Sequence, residues 1–177
     1  MEQSNCEIPT KVISTYPDLA RELVKMISSA EREIYVAPRY YEPAIGSKIL
    51  AKFAEGVGVH MLDQNPSGVG FEERLRAASV HDSKNRDLIL KYLDAPDSII
   101  RVEKFDYSFV VVDGRSCGVE IVDPANPDNF CCAIKLESTT LAAQLIGIFE
   151  SIARSQKPKV LEKPQTIVFS SQGEISN

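Results

Sequence analysis

The chain has 177 residues, 44% of them apolar, enough for one sizeable core and too few for two comfortable domains. Twenty-five acidic against twenty basic residues give a net charge of −5, which argues against a broad surface for nucleic-acid phosphates, so no direct nucleic-acid binding is expected. No apolar run approaches the roughly 20 residues that span a bilayer, and Met1-Glu2-Gln3-Ser4-Asn5 opens no signal peptide; a cytoplasmic protein without a membrane partner is expected.

Residues 1–11 are expected to form a flexible N-terminus, 12–155 the folded domain and 156–177 a tail. From Pro17 to Ala30, Leu19, Leu23, Val24, Met26 and Ile27 recur at helical spacing, with Pro17 in the first turn. Ile34-Tyr35-Val36-Ala37 reads as a strand ended by Pro38, and Ile45, Ile49, Leu50 and Phe53 as a second helix closed by Gly56. Val57 to Leu62 gives the next strand, so the unit is strand, helix, strand with parallel neighbours. The loop Asp63 to Gly70 leaves the C-terminal end of that strand, where open α/β sheets place ligand crevices.

Phe71 to Ala78 and Lys84 to Leu93 read as helices, the second capped by Asp82. Strands follow at Ile99 to Val102, Phe109 to Val112, Gly118 to Val122 and Cys131 to Leu136, with Asp113-Gly114 as a hairpin turn. Ser138 caps a last helix with the stripe Leu141, Leu145, Ile148, Phe149 and Ile152. In the tail, Thr166-Ile167-Val168-Phe169 has the composition of an added strand.

The four cysteines, Cys6, Cys117, Cys131 and Cys132, lack C-x-x-C spacing and a histidine pair, so no metal and no cofactor is expected. Adjacent in a regular strand, Cys131 and Cys132 would face opposite sides, as buried, reduced thiols. His60 in an apolar strand reads as a packed residue, and nothing brings His81 to it.

Three blocks carry a resemblance through their order and spacing. They are Ile27 to Val36, Ala54 to Leu62, and the Asp106 to Gly114 segment followed by Ala133-Ile134-Lys135 and the helix to Glu150. Together they resemble the phospholipase D superfamily, in the form attached to archaeal winged-helix transcription regulators of the TrmB type. The superfamily motif reads H-x-K-x-x-x-x-D. Aligned on Asp113, its histidine falls on Asp106 and its lysine on Ser108, so one of three positions matches.

A histidine nucleophile attacks phosphorus and a lysine neutralises the growing phosphoryl charge, so the chain is expected not to be an enzyme. The resemblance implies an α/β fold, a phospholipase D-like mixed twisted sheet flanked by helices. It also implies a non-catalytic small-molecule-sensing (effector-binding) or dimerisation domain, working as a homodimer, with a separate part reading DNA. No room for a winged helix is expected before Thr10, so either that part lies elsewhere or the chain acts alone as a ligand-binding or dimerising domain.

If a pocket persists at the ancestral centre, its ligand-binding residues are Arg39, Tyr40, Tyr41, Asp106, Ser108, Asp113 and Glu120. Tyrosines stack on a sugar, carboxylates accept hydroxyl protons and Arg39 holds an anion, so a sugar or phosphorylated metabolite is the expected ligand. Asp113 before Gly114 is more simply explained as a turn residue, since Asp and Gly satisfy the hairpin geometry without any ligand. The rivals are a residual phosphodiesterase or nuclease and a protein-protein adaptor domain.

Overall fold

The computed structural model describes residues 9–39, 42–64, 70–81, 85–95, 98–102, 107–123, 125–126 and 129–155. In chain order the elements are β1 (Thr10–Ile13), α1 (Tyr16–Ser28), β2 (Glu33–Ala37), α2 (Pro43–Ala54), β3 (Gly58–Gln64) and α3 (Phe71–His81). Then come α4 (Arg86–Asp94), β4 (Ile99–Val102), β5 (Phe109–Val112), β6 (Ser116–Val122), β7 (Phe130–Glu137) and α5 (Thr139–Ser155).

Local chemistry accounts for the element ends. Thr15 accepts a hydrogen bond from the Asp18 N–H, and Pro17 occupies the first turn of α1. Ser138 accepts from the Leu141 N–H and starts α5. Gly56, at φ +89°, turns the chain from α2 toward β3. Asp113 and Gly114 both adopt left-handed backbone (φ 53° and 67°), the primed turn that matches the twist of a β-hairpin. Asn85 takes the N-cap position of α4 with no side-chain capping hydrogen bond to the helix, and Asp82 lies outside the described residues, as does the 166–169 segment.

The seven strands form one sheet in the order β1-β7-β6-β5-β2-β3-β4. β2, β3 and β4 run parallel, as crossovers through α2 and through the α3 and α4 pair require. The remaining pairs are antiparallel. β1 corrects the expected boundary at residue 12: Thr10 to Ile13 pairs with the β7 edge, Thr10 opposite Leu136 and Ile13 opposite Ala133.

The sheet is mixed and twisted between unequal layers. On one face, Met26, Ile27, Ile49, Leu50, Leu75, Ile89 and Tyr92 of α1 to α4 pack on Ile34, Val36, Val59, Met61, Val110 and Val112. On the other, Ala142, Leu145 and Phe149 of α5 pack on Ala37, Leu62, Phe109, Val111 and Cys117. All four residues of β5 are buried, because helices cover both of its faces. Burial of such side chains contributes roughly 1.5–3 kcal/mol each, set against the entropy of ordering the chain.

Candidate ligand-binding site

Strand alternation builds the site. Counting back from the Asp113-Gly114 turn, Val112 pairs with Ser116 and Phe109 with Val119, which sets Ser108 beside Glu120. The Glu120 N–H donates to the Ser108 carbonyl at 2.9 Å. Val110 and Gly118 lie on the same face, as do Val36 and Pro38 from β2. Gly118 opens this face: a Cβ there would stand 3.0 Å from Val110 Cγ1 and 3.6 Å from Leu23 Cδ2.

Above these residues run Tyr16, Leu19, Leu23 and Ile27 of α1, with Ile45 of α2 at the side. Between helix and sheet lies a small cavity of about 60 Å³, partly open to solvent. Its walls are mainly apolar, and Arg39, Ser108 and Glu120 bring the polar chemistry. Arg39 Nη1 stands 3.9 Å from Glu120 Oε1, with side chains 16% and 2% exposed. The pair is an ion pair longer than a direct hydrogen bond, in surroundings where charge interacts more strongly than in water. The cavity opens near the C-terminal end of β2, the edge at which α/β sheets hold ligands.

Of the expected site residues, the structure therefore gathers Arg39, Ser108 and Glu120. Tyr40, Tyr41 and Asp106 lie outside the described residues. Asp113 is not part of the cavity: it closes the opposite end of β5, about 16 Å along a strand rising about 3.3 Å per residue from Ser108. Its carboxylate accepts from the backbone N–H groups of Glu31 (3.0 Å), Arg32 (2.8 Å) and Glu33 (3.1 Å), and Arg32 donates to its carbonyl at 2.7 Å. Burial would raise its pKa, but those amides and the Arg32 charge hold it below the ordinary carboxylate value. Asp113 thus fastens the hairpin to the start of β2, the turn role its sequence context also allowed.

Other polar residues serve the frame. Asp63 is buried and accepts from the Phe71 and Glu72 N–H groups at 2.8 and 3.1 Å, capping α3 from the end of β3. His60 stacks on Tyr35 at 4.7 Å, a packed histidine. Glu22 joins Lys11 (2.6 Å) and Lys135 (3.1 Å), tying α1 to β1 and β7. These contacts escaped sequence reading because their partners lie up to 113 residues apart. The apolar wall from α1 was legible as a helical stripe, without a sign that part of it faces space.

A seven-stranded mixed sheet under four helices, with a single helix behind, is a phospholipase D-like fold, and solved structures share it. TrmBL2, described as an archaeal chromatin protein with a novel mode of DNA binding, superposes with a TM-score of 0.61 at 16% identity, over 86% of this chain and 55% of its own. Nuc from Salmonella typhimurium, a phospholipase D family member, gives 0.60 at 16% identity, over 82% of this chain and 94% of its own. NucT from Helicobacter pylori gives 0.58 at 14%, over 84% and 98%. This chain thus spans 55% of the length of TrmBL2 and nearly all of Nuc and NucT. No family model matches the chain, and no curated protein does. Among the described residues, no helix is long and apolar enough to cross a membrane.

Proposed function

We propose that this chain is a non-catalytic phospholipase D-like domain of a transcription regulatory system, sensing a small polar molecule in the cavity beneath α1. The observation that supports it most is the place of Ser108. Ser108, which the resemblance aligns with the superfamily's phosphate-binding lysine, lines a mainly apolar cavity beside the half-buried Arg39 and the buried Glu120. A short hydroxyl neither carries charge to a phosphoryl group nor fills the space, whereas apolar walls with a few convergent polar groups suit a bound organic molecule. Arg39 donates to a ligand oxygen, Glu120 accepts from a hydroxyl, and α1 excludes water. With Glu120 beside it, Arg39 offers no net positive charge, which suits sugar hydroxyls better than a phosphate dianion. The regulatory setting rests on the likeness to TrmBL2; the net charge of −5 suits a DNA-reading part located elsewhere.

The test is a thermal-shift panel of sugars, sugar phosphates, nucleotides and divalent metals on wild type and Arg39→Ala. A ligand at a hundred times its Kd stabilises by about 2.7 kcal/mol, a shift easily seen. A saturable rise confined to wild type supports the sensor; silence across the panel overturns it.

Dimerisation is the second reading. α5 lies over β2, β4, β5 and β6. Toward β1, the same face shows Val12 at 64% and Ile121 at 43% exposed. A second copy laid on that face would cover both.

A further inference from the structure

The cavity beneath α1 takes in the Ser108 end of β5. At the other end of that strand, where the Asp113-Gly114 hairpin meets β7 under the last turns of α1, lies a second cleft of about 270 Å³, partly open to solvent. Strand register gathers its walls. Ser116 lies directly opposite Val112 on β5 and Glu137 on β7, so the three side chains share one face, the Ser116 and Glu137 Cβ atoms about 4.5–5.5 Å apart. Arg115 joins from the turn, and Lys25 from the last turn of α1. Some of the charge is already committed. Glu22 is held by Lys11 at 2.6 Å and by Lys135 at 3.1 Å, and the Asp113 carboxylate accepts from three backbone amides. The rest is not: among the described residues, no ion pair and no side-chain hydrogen bond engages Lys25, Arg115, Ser116 or Glu137. Lys25, Arg115 and Glu137 are exposed, and water satisfies them. Ser116 differs, because it is only 8% exposed, and a hydroxyl buried to that degree is ordinarily paired. It lines the cleft with its hydrogen bond still to be made.

We propose that this cleft binds an amino acid, its carboxylate held by Arg115, Lys25 and the Ser116 hydroxyl and its ammonium by Glu137. The balance of charge on the walls selects a zwitterion. Lys25, Arg115 and Lys135 stand against Glu22, Asp113 and Glu137, so the cleft favours neither a lone anion nor a lone cation. A molecule with both charges finds a partner for each. The Arg115 guanidinium meets a planar carboxylate in a two-bond fork, and Ser116 adds a neutral donor beside it. Glu137, one strand away from Ser116, is near enough to accept from an ammonium on the same small molecule. At about 270 Å³ the cleft lies just below the range of drug-sized pockets, a fit for a ligand of amino-acid size. The cleft shares no polar residue with the Arg39 and Glu120 cavity, so the two assignments stand or fall separately.

The experiment titrates the folded chain with each of the standard L-amino acids by calorimetry, with inorganic phosphate as the plain-anion probe. At least one amino acid should bind saturably, one per chain. Its amide, which lacks the carboxylate, and its N-acetyl form, which lacks the ammonium, should each bind about tenfold more weakly or worse, the loss of one charged hydrogen-bonding end. Arg115→Gln and Glu137→Gln, at exposed positions, should keep the wild-type melting temperature; the first should no longer distinguish the acid from its amide, and the second the amine from its N-acetyl form. Ser116→Ala should hold or raise the melting temperature, since its hydroxyl has no protein partner to lose, and should weaken binding. Arg39→Ala should bind as wild type does. Silence across the amino acids overturns the proposal, as does binding undiminished in Arg115→Gln and Glu137→Gln. Binding lost in Arg39→Ala would move the ligand to the other cavity and overturn it, and phosphate bound more tightly than any amino acid, through Arg115, would make the cleft a plain anion site and overturn it equally.

Discussion

Asp113 holds φ at 53°, a conformation that costs a residue with a Cβ, and recovers that cost through three backbone amides. Its place in the turn is explained by the frame alone. Asp113→Ala should destabilise by about 2–3 kcal/mol, from lost charged hydrogen bonds. Because its folded pKa lies below the ordinary 3.8, this stability is fully present above about pH 4 and is lost as pH falls through the folded value. Urea melts at pH 7 and pH 3 should show the gap between wild type and variant narrowing at the lower pH; an unchanged gap would contradict the assignment. Ser108 and Glu120 were accessible from sequence because the Asp113-Gly114 turn fixes the hairpin register. The arrangement of Arg39 against Glu120 was not, since it requires β2 to lie antiparallel beside β5.

Among the elements, α1 forms the roof of the cavity and is held by Glu22. Hydrogen bonds from Lys11 and then Lys135, working against burial, lower the Glu22 pKa to about 2. That stabilisation is present above pH 4.5 and is lost as pH falls from 4.5 toward 2. Glu22→Gln should therefore lower stability at pH 7 by about 1–3 kcal/mol, with most of the difference gone near pH 2. Thermal melts across that range check it. At α3, a Cβ on Gly70 would stand 2.7 Å from Asp63 Oδ2, which is fixed by its bond to the Glu72 N–H. Gly70→Ala should cost about 1–3 kcal/mol, seen as a lower midpoint in a denaturant melt. Periodicity revealed the five helices and six strands. It did not reveal β1, whose Thr-Lys-Val-Ile run buries one residue of four and depends on the β7 edge for its place. Nor did it reveal the register shift between Ile121 and Val122, which exists only relative to β7.

Over the whole molecule, a core shared between unequal layers underlies two proposed surfaces, the cavity under α1 and the sheet face beyond α5. If the second joins two copies, Val12→Lys should convert a dimer to a monomer in sedimentation without lowering the melting temperature, because Val12 is 64% exposed. An unchanged sedimentation coefficient would exclude that face. The central proposal is that this phospholipase D-like fold binds a ligand in its cavity and does not carry out phosphodiester chemistry. Hydrolysis of an activated phosphodiester, bis(p-nitrophenyl) phosphate, by purified wild-type protein with and without divalent metal tests it most directly. Release at the buffer rate is predicted. Turnover above that rate, abolished in a folded Glu120→Gln variant, would contradict the account and identify the cavity as a catalytic centre.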